Sequence, residues 1–182
     1  MITPGLLMDI LDGLQEKLSL CGQFVDAGRC NWDCCKYTDS YILFLPGELQ
    51  SAHALGYDIS QYNILDPNYY GGVKAVPKSM GCCVDPALGN KAYKSLDCRI
   101  FPFWFQIEDE QLVLMEGLSC PIVRQGMPIE ELRLEALRVA GLLSGDPEIA
   151  AFLRAGRMVN YRMVAQQPEG YLHQDVQIVS IP

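Results

Sequence analysis

Residues 98–121 read CRIFPFWFQIEDEQLVLMEGLSCP. Two apolar and aromatic runs, residues 99–107 and 111–115, flank the acidic triplet Glu108-Asp109-Glu110, the pattern of a β-hairpin with a charged tip. Cys98 and Cys120 stand just outside the two strands. Closing the hairpin brings its ends together, so the two thiols are expected to approach each other despite their separation in sequence. The three acids read as a solvated turn.

Downstream, Pro128 opens PIEELRLEALRVAGLLSG, whose apolar residues Ile129, Leu132, Leu134, Ala136, Leu137, Ala140, Leu142 and Leu143 give a helix with early acids. Asp146 then reads as the cap of a shorter helix, with Pro147 at its first position and Gly156 at its end. RMVNYRMVAQ and QDVQIVSI follow as two expected strands. Upstream, Leu6, Leu7, Ile10, Leu11, Leu14 and Leu18 form an apolar stripe, with Asp9, Asp12, Glu16 and Lys17 on other faces. A second helix is expected over residues 47–55, led by Pro46 and capped by Gly56. Residues 57–78 hold Asp66-Pro67-Asn68, Gly71-Gly72 and Pro77, a composition that favours turns over long helix or strand. The expected architecture is α+β: one compact domain of helices around a small antiparallel sheet, with irregular cysteine-rich loops gathered at a metal site. Residues 1–125 form the cysteine-bearing core, and residues 126–182 a helical and β extension packed on the same domain.

The chain of 182 residues carries eight cysteines. Cys21, Cys30, Cys34 and Cys35 crowd one stretch, Cys82, Cys83 and Cys98 another, and Cys120 follows alone. An even count also suits a disulfide framework. Met1 to Leu20, however, lacks the basic start and uninterrupted apolar run of a secretory signal, which leads to the expectation of a reducing cytoplasm where structural disulfides are rare. With 49% hydrophobic residues the chain can also build a core without covalent staples. Metal ligation is therefore the expected role of the thiols. No apolar run approaches a membrane span. A net charge of −8 with scattered Lys and Arg makes a nucleic-acid backbone an unsuitable partner.

Thiolates are soft and select Zn²⁺, Cu(I) or iron–sulfur clusters over hard ions. The paired CxxC knuckles of ordinary structural zinc sites do not occur in this chain, nor do the short ferredoxin spacings. The spacing therefore points to an irregular site. One member of each vicinal pair ligates while the other packs, or the pairs bridge two metals.

CNWDCC (residues 30–35), GCC (81–83), YKSLDCRIFPF (93–103) and LSCP (118–121) together resemble the YkgJ-like cysteine-cluster family of zinc- or iron-chelating proteins. Cys98 to Pro102 matches that family's CRxFP, Tyr93 stands where its tyrosine precedes the motif, and Cys120-Pro121 matches its trailing CP. The likeness covers about residues 21–121. It departs in the stretched first motif and in the compression of the family's later cysteine pair into Cys82-Cys83. The resemblance implies a metal or iron–sulfur cluster, and offers the flagellin lysine methylases as a distant enzymatic precedent. No glycine-rich cofactor loop follows a strand here to support methyl transfer.

The expected ligands are Cys30, Cys34, Cys35, Cys82, Cys83, Cys98 and Cys120, with Cys21 the most dispensable. The greasy surroundings of Cys98 favour an iron–sulfur cluster, of the 4Fe-4S type, with zinc as the alternative. Arg99 is either a donor to thiolates or sulfides that offsets their charge, or one half of a surface salt bridge. His53 and His173 read as ordinary polar residues, and Phe101, Phe103, Trp104 and Phe105 as core that also shields a cluster. With two histidines and no Ser-His-Asp or Cys-His pattern, acid–base or nucleophilic catalysis has little support. The partner is expected to be a protein or a small molecule.

Overall fold

Thr3 and Pro4 start the first helix. The Thr3 hydroxyl accepts from the Leu6 amide at 3.3 Å, and Pro4 occupies the first helical position, where its missing N–H costs nothing. In this computed structural model, which describes residues 1–14, 24–25, 27–31, 41–79, 92–126 and 129–164, that helix is α1 (Pro4–Leu14). It buries Leu7, Ile10 and Leu11, three residues of the expected stripe.

Strand β1 (Ile42–Phe44) leads through Pro46 into α2 (Glu48–Ala54), close to the expected helix. Gly47 caps α2 with φ of 80°, and a Cβ there would lie 2.5 Å from the Ile2 carbonyl oxygen. Only glycine fits that position. Gly56 follows the helix with φ of 82°.

The reading of residues 57–78 as turn-rich needs correction, because they form a hairpin of β2 (Tyr62–Tyr69) and β3 (Gly72–Pro77). Strand β3 is central, antiparallel to β1 on one side and β2 on the other. Asp66-Pro67-Asn68 falls where the β2–β3 register shifts, on an edge strand, and there a proline breaks no ladder bond. Tyr70 and Gly71, both at positive φ, make the two-residue turn. Gly72 is required by packing: a Cβ would meet the Phe44 carbonyl oxygen at 2.4 Å and the Phe152 ring at 2.5 Å.

Helix α3 (Leu96–Ile100) is a second correction, since residues 99 and 100 were expected in a strand. Ser95 is the reason: its hydroxyl accepts from the Cys98 amide at 3.2 Å and caps the helix. The strand starts only after Pro102, as β4 (Phe103–Glu108), and returns as β5 (Gln111–Gly117) in unbroken antiparallel register from Phe103–Glu116 to Glu108–Gln111. The turn is thus Asp109-Glu110, both at positive φ, and Glu110 pairs with Arg154 at 2.7 Å.

Cys120 precedes the short helix α4 (Pro121–Arg124), and α5 (Glu130–Leu143) and α6 (Pro147–Ala155) follow. Asp146 caps α6 as expected, its carboxylate accepting from the amides of Glu148 at 2.9 Å and Ile149 at 3.1 Å. Strand β6 (Tyr161–Met163) pairs with β5, while the second expected tail strand lies outside the described residues. Successive strand residues face opposite sides, so the buried run Phe103 to Ile107 needs cover on both. Helices α5 and α6 both lie against β4. The described chain is therefore α+β with two small antiparallel sheets, β1-β3-β2 and β4-β5-β6, whose apolar residues share one core. No helix among the described residues is long and apolar enough to cross a membrane.

Candidate metal centre

Three of the expected ligands belong to the described residues. Cys30 is a half-buried thiol in a turn, its amide donating to the Phe24 carbonyl at 3.2 Å. Cys98 is a half-buried thiol in the middle of α3. Cys120, 4% exposed, is the cap residue of α4. Phe103 lies opposite Glu116 and the Gly117 amide donates to the Pro102 carbonyl at 2.7 Å, so Cys98 precedes and Cys120 follows the open end of one hairpin, away from its Asp109-Glu110 turn. Among the described residues no three His, Cys, Asp or Glu side chains are grouped to hold an ion. Cys21, Cys34, Cys35, Cys82 and Cys83 lie outside the described residues, as does His173. His53 is exposed on α2.

The backbone that carries Cys98 is tied down at nearly every polar group. The Tyr93 amide donates to the Asp58 carbonyl at 2.8 Å, and the Tyr93 carbonyl accepts from Gln61 Nε2 at 2.7 Å and the Tyr62 hydroxyl at 2.8 Å. The Lys94 carbonyl accepts from Arg99 Nε at 2.7 Å. The Ser95 carbonyl accepts from the Arg99 amide at 3.0 Å, and the Asp97 carbonyl from the Phe101 amide at 3.1 Å. Cys98 thus rides on a turn whose geometry the surrounding fold dictates.

Two acids that sequence reasoning did not single out anchor this turn. Glu48, wholly buried, accepts on Oε1 from the Tyr93 hydroxyl at 2.9 Å and the Leu96 amide at 2.8 Å, and on Oε2 from the Leu45 amide at 2.8 Å. Asp97, 4% exposed, accepts from the Leu43 amide at 3.0 Å. Burial pushes the Glu48 carboxyl up to about 7, against the opposing pull of its three donors and of Arg99. Asp97 is likewise pushed up to about 7 by burial, with the Leu43 amide opposing and the charge of Glu48 adding to the rise. Tyr93 is raised well above its ordinary value by burial and by Glu48. The available signal was Glu48 itself, an acid directly behind the apolar stretch ILFLPG.

Arg99 places its guanidinium 5.9 Å from the centre of the Tyr93 ring. Among the described residues it forms no ion pair, and its Nε donates to the Lys94 carbonyl. Lys94, only 8% exposed, adds a second cationic residue to the same segment. Phe103, Trp104 and Phe105 are core, and the Trp104 and Phe105 rings stack at 5.1 Å. Phe101 is half-buried, and its ring sits on Gly117, where a Cβ would come within 2.9 Å of it.

The donor set suits a soft metal: thiols at the end of an aromatic-lined hairpin, with cationic side chains in the same segment to offset thiolate charge. Compared with known proteins, the chain matches no family model, no curated protein and no solved structure.

Proposed function

We propose that this chain is a metalloprotein of the YkgJ-like kind, whose cysteines hold an iron–sulfur cluster of the four-iron type. Cys98 and Cys120 are the central ligands. Cys30, Cys34 or Cys35, and Cys82 or Cys83 supply the rest from the cysteine-rich loops, and Arg99 balances the charge. The observation that carries the reading is the fixed turn of α3, which carries Cys98 just before the open end of the hairpin after which Cys120 follows. A preformed ligand position binds metal without the cost of ordering that part of the chain. Such a protein works in the reducing cytoplasm, where thiolates stay available, and the ordered cluster loops present a surface to a partner protein or small molecule.

The test is serine replacement of the ligands. Anaerobically purified wild type is expected to be brown, with broad visible absorption that bleaches on reduction. Cys98→Ser and Cys120→Ser should each lose most of the metal and colour, and Cys21→Ser should keep both. Full metal and colour in Cys98→Ser would remove the assignment.

A further inference from the structure

We propose that Glu48 is the positioning residue of this metal centre, fixing through the Leu96 amide and the Tyr93 hydroxyl both the Cys98 ligand and the Arg99 cation beside it. The inference rests on the metal reading above and adds a residue from a different part of the chain. Glu48 lies on α2, remote in sequence from every cysteine after Cys35, yet its carboxylate spans three segments: the Leu45 amide after β1, the Tyr93 side chain, and the first residue of α3. Cys98 lies two positions beyond Leu96 on that helix. Tyr93, held at its hydroxyl by Glu48, carries Arg99 against its ring. Asp97 fastens the same turn to β1 through the Leu43 amide.

Burying a carboxylate is costly, and a second buried one, Asp97, fastens the same turn. An apolar side chain of similar size would leave the Leu45 and Leu96 amides and the Tyr93 hydroxyl without their acceptor. A carboxylate does what such a side chain does not: it fixes two donors on Oε1 at once, and thereby sets the ligand turn and the tyrosine under Arg99 relative to each other. Orientation of ligands by buried hydrogen-bonding groups commonly governs metal retention.

The experiment compares wild type with Glu48→Gln, Tyr93→Phe and Ile149→Val, all purified without air. Ile149 is fully buried on α6, a different helix from the one that carries Cys98, and serves as a control that loosens the core. Loss of the bound metal to excess chelator is timed for each, alongside thermal stability and the visible spectrum. Glu48→Gln and Tyr93→Phe are expected to release metal at least tenfold faster than wild type, with an altered spectrum. Ile149→Val is expected to melt earlier and release at the wild-type rate. If Glu48→Gln does not fold, Tyr93→Phe, which removes one donor and keeps the carboxylate buried, decides alone. Release within twofold of wild type in the folded variants, or equal acceleration in Ile149→Val, overturns the positioning role and leaves the metal reading standing. Wild type that holds no metal overturns both.

Discussion

At the scale of single residues, Glu48 gives the fold a pH dependence opposite to that of most carboxylates. Its folded value, pushed up to about 7 from an ordinary 4.5, means that the native state binds the proton more tightly than the unfolded chain. The corresponding stability is therefore fully present below pH 4.5 and is lost as pH rises through about 7. Asp97, raised for the same reason, acts in the same direction. Wild type should lose on the order of 2–3 kcal/mol between pH 5 and pH 8 through each of these groups. Glu48→Gln sets an amide N–H₂ against a backbone donor and should cost about 1–3 kcal/mol at pH 5, where wild type is favoured. Its stability should fall less steeply with pH. Denaturant titrations of both proteins across this range check the point, and parallel pH profiles would contradict it. CRIFP was legible as a marked segment, but the acid beneath it was not. Nothing in a linear sequence says that the carboxylate after Pro46-Gly47 points inward at residues 93–96.

At the scale of elements, sequence punctuation located helices well where caps and helix-breaking residues agree. Pro46 and Gly56 bracket α2, and Asp146, Pro147 and Gly156 bracket α6. The same punctuation misled over residues 57–78, because Pro67 and Asn68 signal turns regardless of context, and an edge strand with a register shift tolerates them. It misled again at α3, where the aromatic run of the hairpin extended the apparent strand back over residues that Ser95 caps into a helix. The β2–β3 hairpin meets α6 at Gly72, where Phe44 and Phe152 leave no room for a Cβ. Gly72→Ala should destabilise the fold by about 1–3 kcal/mol through overpacking. A thermal melt measures this, and an unchanged midpoint would show that the hairpin and α6 do not close together as described.

For the molecule as a whole, the α+β class was readable from periodicity, whereas any gathering of cysteines from three stretches of the chain would depend on loop paths that no local pattern encodes. The described fold has its own apolar core, and on the proposed reading a bound metal would add stability on top of it by favouring only the folded ligand loops. Removing metal should therefore leave the two sheets intact and sensitise the cysteine-bearing stretches. Trypsin should cut sooner after Lys36, directly following Cys35, and after Lys91, between Cys83 and Cys98, than after Lys74 in β3. Identical cleavage patterns with and without metal would count against any ordering of these loops by an ion. The most direct measurement concerns what the thiols carry. Protein purified without air and analysed for iron, zinc and acid-labile sulfide should contain iron and sulfide in comparable amounts. Zinc alone with no sulfide, or no metal at all, would contradict the iron–sulfur account.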